Sequence, residues 1–346
     1  MPTTAARARM WVKAGKAMGR WNDVGIYYVQ LNIAPSGEAT QPIMVGVDPG
    51  KKYSGIAAQS SKATLFLAHL ILLFEKVKER MEQRRMMRRG RRGRRINRQL
   101  AFNVRAHREQ RFDNRRGNKL PPSIRANRQL EWRVVTELCK LYPVVKIVFE
   151  YIRAHGSKSF SPVMVGQKWM VNQLSQLAPT VTQEGWRTAQ IRTRLGLVKT
   201  KNKSEQPPQS HAVDGIALAA SQFVSYQQCH KVNEDSADWV GAVEITPALF
   251  RVIRRPPISR RQLHLMVPAQ GGVRRKYGGT VTRFGLRKGD FVRAEKSGQV
   301  YQGWVSGDTK TQVSVSDINW KRMAQFTATK VQLIQRSTGL LVHCPT

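Results

Sequence analysis

Residues 43–58 read IMVGVDPGKKYSGIAA, a strand, a tight turn and a second strand. The apolar run from Ile43 closes on Asp48, and Pro49-Gly50 supplies the turn chemistry. Thr64 to Leu73 follows as either a third strand or an apolar lead into the next segment, and its periodicity fits both.

Acids are scarce in this chain, so each one flanked by apolar residues is informative. Glu150 ends a second β-branched run, VVKIVFE at 144–150, as expected of a buried strand. Asp214 falls in the first turn of a helix over 210–226 capped by Ser210, with His211 three residues earlier on the same face. Taken singly, Asp48 is also a turn former, and His211 with Asp214 is also a capping arrangement. Taken together, sheet-end carboxylates facing a helix-borne acid suit hard divalent cations such as Mg²⁺. Two such ions can activate water and stabilise the leaving oxygen of a phosphodiester. His211 is the candidate general base.

Nine arginines occupy residues 84–98, RRMMRRGRRGRRINR. Arg84, Arg88, Arg91, Arg95 and Arg98 form one helical stripe, and Arg85, Arg89 and Arg92 form another beside it. Arg94 completes the set. No acid lies inside to neutralise them, so a helix here implies a polyanion along it, and guanidinium forks match phosphate. A solvated basic arm is the alternative. Against that alternative, the stretch is internal and helix formers (FEKVKERM, 74–81) lead into it. Gly90 and Gly93 each weaken the helix by about 1 kcal/mol but remove bulk where a phosphate backbone would approach.

Lys and Arg number 59 against 22 Asp and Glu, a formal net charge of +37 over 346 residues. Nucleic-acid binding that releases counterions should then weaken steeply with salt. Three distant cysteines, Cys139, Cys229 and Cys344, show no zinc spacing and fit a reducing compartment. The longest apolar run, 63–74, is too short to span a bilayer. These features suggest a soluble intracellular protein.

Around this core, Thr3 or Thr4 caps a helix that stops at Gly15, and a strand covers 26–33. An amphipathic helix over 128–141 places Leu130, Val134, Leu138 and Leu141 on one face. Residues 151–205 are mixed and polar. From about Gly278, short alternating runs between glycines suggest a small antiparallel barrel.

The ordered set VGVDPG, arginine-rich helix, IVFE and HAVDG resembles a RuvC-type nuclease split by a bridge helix, the layout of the IscB/IsrB family of transposon-encoded, RNA-guided proteins related to CRISPR type II effectors. The start, MPTTAARARMWVKAGKA, is similar to the N-terminal module named after a Pro-Leu-Met-Pro motif, although only Met1-Pro2 of that motif remains. This points to a trimmed module or a late start. The resemblance covers roughly residues 1–226.

It implies an α/β, RNase H-like core with a small N-terminal module (1–45). RuvC parts would fall at 46–75, 99–155 and 156–230, the bridge helix at 76–98, and a β-rich domain that reads a target-adjacent motif at 231–346. Asp48, Glu150 and Asp214 match the family's metal-binding carboxylates, and His211 its catalytic histidine. Only about 60 residues separate Glu150 from His211, with one histidine, His155, and no cysteine. That leaves no room for the HNH nuclease of IscB, which matches the IsrB branch. The expectation is an RNA-guided DNA nickase that uses Mg²⁺, with Mn²⁺ able to substitute, and cuts the displaced non-target strand. Its partners would be a long structured guide RNA and double-stranded DNA with a short flanking motif. It would act as a monomeric ribonucleoprotein in a prokaryotic cytoplasm, on the nucleoid when bound to DNA.

A structure-selective nuclease of the junction-resolvase type and a non-catalytic RNA-binding protein are the alternatives. Arg274, Arg275, Lys276, Arg283 and Arg287 are base-reading candidates by chemistry alone. Trp169, Trp186 and Trp304 fit packing better than base stacking, and His69 reads as a satisfied core histidine. His107 and His155 sit in basic surroundings, where solvent exposure fits better than phosphate contact.

Overall fold

Helix α1 (Ala5–Lys13) leads into a hairpin of β1 (Ala17–Trp21) and β2 (Tyr27–Leu31) in a computed structural model that describes residues 3–34, 37, 40–73, 82–90, 96–105, 120–153, 162–202, 204–231, 234–257 and 281–345. Thr4 Oγ1 caps α1 by accepting the Arg7 amide at 3.3 Å. Gly15, at φ 69, turns the chain out of it.

The chain then builds a seven-stranded mixed sheet. Its members are β3 (Ile43–Asp48), β4 (Tyr53–Gln59), β5 (Thr64–Ile71), β6 (Val144–Glu150), β7 (Thr180–Gln183), β10 (Phe250–Arg254) and β16 (Leu341–His343), in the order β16-β10-β5-β4-β3-β6-β7. The pairs β3–β4, β4–β5 and β10–β16 are antiparallel, and β3–β6, β6–β7 and β5–β10 are parallel. Strand alternation sorts the apolar side chains. Val45, Val47, Ile56, Phe66, Ile147 and Phe149 face helix α3 (Pro122–Leu141) and helix α4 (Pro162–Leu174). Ala57, Leu67 and Ile71 face helix α6 (His211–Ala220) on the other side.

Helix α3 buries Leu130, Val134 and Leu138 completely. Each contributes about 1.5–3 kcal/mol relative to exposure. The helix begins at Pro122 instead of Arg128, because a proline at the first turn gives up no hydrogen bond and presets the helical φ. The region 151–205 contains α4, β7 and helix α5 (Gly185–Arg194), which its mixed composition had not revealed. Helix α6 ends at Ala220, short of the expected Tyr226. The next residues instead pair as a hairpin of β8 (Val224–Lys231) and β9 (Glu234–Gly241).

Toward the C-terminus, β11 (Phe291–Lys296), β12 (Gln299–Asp308), β13 (Gln312–Ser316), β14 (Arg322–Thr327) and β15 (Val331–Gln335) form an antiparallel sheet in the order β14-β13-β12-β11-β15. Ser297 and Gly298, both at positive φ, make the two-residue turn between β11 and β12. This sheet encloses its own core around Val292, Val305, Val313, Val315 and Phe326. The segment after residue 231 is not confined to it, since β10 and β16 extend the central sheet.

Residues 82–90 are helical (α2) and carry Arg84, Arg85, Arg88 and Arg89, all exposed. Arg98 lies in a turn, so the last member of the expected stripe is not on a helix. Arg91, Arg92, Arg94 and Arg95 lie outside the described residues, as do His107, His155, Arg274, Arg275 and Lys276. No helix among the described residues is long and apolar enough to cross a membrane.

Candidate active site

Asp48 is the last residue of β3 and Glu150 the last of β6. The strands are parallel neighbours with Val47 opposite Phe149, so the next residue on each, Asp48 and Glu150, emerges at the same sheet end on the same face. That face is the one covered by α6. Asp214 is buried in the first turn of α6, and His211 opens the helix.

Three glycines let α6 come this close. A Cβ on Gly46 would lie 2.0 Å from the Gly215 carbonyl, and one on Gly55 would lie 1.9 Å from the His211 carbonyl. A Cβ on Gly215 would in turn meet the Ala57 nitrogen at 2.9 Å. The helix backbone therefore rests on the sheet backbone, which fixes the height of His211 and Asp214 above Asp48.

His211 Nδ1 stands 3.1 Å from Asp48 Oδ2. With Nδ1–H donating to the carboxylate, Nε2 is the basic nitrogen, a tautomer inferred from the contact. His69 lies behind it, with ring centroids 6.0 Å apart. Burial, then the neighbouring His211, pushes the His69 pKa down to about 4, so His69 is neutral at physiological pH. Its Nδ1 meets Ser210 Oγ at 3.0 Å, but Nε2 is buried with no hydrogen-bond partner among the described residues. The expectation of a fully satisfied core histidine therefore holds for one nitrogen only. Ser210 does occupy the N-cap position of α6, yet its side chain makes no capping hydrogen bond, the hydroxyl being turned to His69.

Asp214 has two cationic partners. Arg192 Nη1 approaches Oδ1 at 2.6 Å, and Lys199 Nζ contacts Oδ2. Arg192 sits in the last turn of α5, and Gly196 at φ 64 then reverses the chain so that Lys199 returns over the acid. Glu150 has little such compensation. A Cβ on Gly185, the first residue of α5, would lie 3.2 Å from Glu150 Oε1, and Thr188 hydrogen-bonds the carboxyl. Burial, then the Asp48 charge, drives the Glu150 pKa up to about 8; Asp214 adds to the rise, while Thr188 and Lys199 oppose it.

As placed, no group of three or more His, Cys, Asp or Glu among the described residues is close enough to hold an ion. The donor chemistry nevertheless fits a hard cation. Glu150 is held protonated chiefly by burial and further by the charges of Asp48 and Asp214, and a divalent ion there would favour its ionised form. Asp48, Glu150 and Asp214 would be the residues to hold it, and Asp214 would have to exchange Arg192 and Lys199 for the metal.

All four sequence-derived site residues thus gather at one sheet end, though His211 partners Asp48 instead of Asp214. Arg192, Lys199 and Thr188 were missed. So was Glu131, a fully buried acid on α3 whose pKa is raised to about 7, chiefly by burial; Arg128 and Ser54 oppose the rise, and Asp48 adds slightly to it. Glu131 lies between Leu130 and Val134 on the apolar stripe, and an acid on that stripe was a legible signal. Arg283 pairs with Asp308 at 3.8 Å, while Trp304 packs in the core as expected. Trp186 is exposed, against that expectation, with its indole N–H donating to Glu184 at 2.7 Å.

No curated protein matches the chain. Among solved structures, it is similar to Thermus thermophilus RuvC in complex with a Holliday junction substrate, at 12% identity and a TM-score of 0.29, covering 51% of this chain and 90% of that one. A second Thermus thermophilus RuvC structure matches at 13% identity and a TM-score of 0.27, with the same coverage. Residues 1–168, which contain Asp48, Glu150 and the RRGRRGRR run at 88–95, match the family model described as RRXRR protein.

Proposed function

We propose that the chain is a divalent-metal-dependent nuclease, and more specifically an RNA-guided DNA nickase of the IscB/IsrB type. The observation that carries the nuclease reading is the convergence of Asp48, Glu150, Asp214 and His211 at one sheet end in an otherwise cationic protein. Strands β5-β4-β3-β6-β7 stand in the order third, second, first, fourth, fifth with only β4 reversed, which supports an RNase H-like core. The arginine run, which falls within the residues that match the RRXRR family model, supports a nucleic-acid partner through its guanidinium chemistry.

In this reading the three carboxylates would hold Mg²⁺, which when bound would supply a lowered water pKa and charge stabilisation at the phosphodiester. Asp48 orients His211, and His211 Nε2 takes the proton of the attacking water. Arg192 and Lys199, partly exposed beside Asp214, would be free to meet a phosphate once Asp214 turns to the metal. With one such site among the described residues, one strand would be cut, and guide pairing would supply the sequence specificity.

The test is to purify the chain from its host, sequence the RNA it carries, and assay DNA nicking with that RNA, with and without Mg²⁺. Copurification of one long RNA and cleavage only at sites matching its guide segment support the reading. RNA-independent cutting of branched DNA would replace it with the structure-selective alternative.

A further inference from the structure

Behind the catalytic sheet end, on the face opposite α6, lies a buried polar cluster that the proposed chemistry does not use. Arg128 and Glu131 of α3 are almost wholly inaccessible and approach each other at 2.9 Å, in ionic contact without a well-aligned hydrogen bond. Arg128 Nη2 donates to the Gly50 carbonyl at 2.9 Å. The Gly50 amide donates to Ser54 Oγ at 3.1 Å, and the Ser54 hydroxyl donates to Glu131. Both backbone polar groups of Gly50 are therefore held by one closed network. Gly50 follows Asp48 by two residues, and the turn is tight enough that a Cβ on it would lie 1.7 Å from the Tyr53 carbonyl.

From this arrangement, we infer that Ser54, Glu131 and Arg128 are positioning residues that lock the Asp48-Pro49-Gly50 turn and so set the direction of the Asp48 carboxylate. The inference rests on the metal-site reading above. Stability alone does not account for the cluster, because replacing a buried ion pair with apolar groups of similar volume is commonly neutral or stabilising. Gly166 of α4 also leaves room for the arginine stem, since a Cβ there would meet Arg128 Cγ at 3.0 Å. The helix pair is thus shaped around a charge it would otherwise exclude. Groups that orient a metal ligand from behind typically govern metal affinity by about 10–100-fold.

The experiment is Mn²⁺ titration of the full-length chain, followed by electron paramagnetic resonance, together with thermal melting. Four proteins are compared: wild type, Asp48→Ala, Ser54→Ala and the double variant Arg128→Met/Glu131→Leu. The expected result is a double variant that melts close to wild type yet binds Mn²⁺ about tenfold or more weakly. Ser54→Ala should move affinity in the same direction, and in cleavage should lower kcat with KM for DNA unchanged. A folded double variant with wild-type Mn²⁺ affinity overturns the inference. If the double variant fails to fold, Ser54→Ala decides: wild-type affinity and kcat there also overturn it. Equal Mn²⁺ binding by wild type and Asp48→Ala would instead sink the metal-site reading, so the two failures are distinguishable.

Discussion

His211 Nδ1 lies 3.1 Å from Asp48 Oδ2, joining the first residue of α6 to the last residue of β3. This contact orients the imidazole and leaves Nε2 as its proton acceptor. His69 cannot take over that role, since its pKa is lowered to about 4 and it is fully buried. His211→Ala should therefore slow single-turnover cleavage by about 10²–10⁴ while leaving Mn²⁺ binding largely intact. A variant that cuts at the wild-type rate would remove His211 from the mechanism.

Glu150 gives a pH dependence with a defined sign. Its folded pKa, about 8, lies above the unfolded carboxylate value, so the metal-free folded state holds the extra proton. Stability from this group is complete below pH ~4.5 and is lost as pH rises toward 8, by up to about 1.4 kcal/mol per unit. Glu150→Gln should raise the melting temperature of the metal-free protein at pH 8 and flatten its pH slope. For wild type, Mn²⁺ must displace that proton, so its affinity should tighten about tenfold per unit up to pH ~8. A pH-independent affinity between 6 and 8 would mean that Glu150 does not bind the ion.

Gly46 tests how the helix-borne half of the site is held. A methyl group at this position would fall 2.0 Å from the Gly215 carbonyl and 2.7 Å from the Ala219 nitrogen, both backbone atoms that no rotamer change can move. Gly46→Ala should cost about 1–3 kcal/mol or more through overpacking and lower cleavage by displacing His211 and Asp214. Unchanged melting and activity would show that α6 does not rest on the sheet as described.

Much of this was legible in the sequence because it is local. IMVGVDPG and VVKIVFE carry their strand periods and end on acids, and HAVDG opens a helix. Other elements were hidden for physical reasons. Lys199 and Arg192 reach Asp214 from 15 and 22 residues away through an αL turn at Gly196, and nothing in their local pattern marks that return. β10 and β16 are five and three residues long, and such short runs do not reveal which sheet they join. Residues 151–205 hid two helices for different reasons: α4 spreads its apolar residues around the helix, Val165 being exposed, so no single face stands out, and α5 buries only Thr188 and Ile191.

The arginine run makes a prediction about salt. Arg88 is exposed on α2, with Arg91 and Arg95 beyond it in sequence. Replacing all three with Gln should weaken RNA binding and make log K against log[salt] shallower by about 2–3, close to one unit for each phosphate left without its arginine. An unchanged slope would place the stripe against something other than phosphate.

The proposed chemistry requires Asp48, Glu150 and Asp214 to share a divalent cation. Anomalous diffraction from crystals of the full-length chain soaked in Mn²⁺ tests this most directly. The expected result is an anomalous peak about 2.0–2.6 Å from carboxylate oxygens of Asp48 and at least one of the other two, with Lys199 withdrawn from Asp214. Saturating Mn²⁺ with no peak there, and with Arg192 and Lys199 still paired to Asp214, would contradict it.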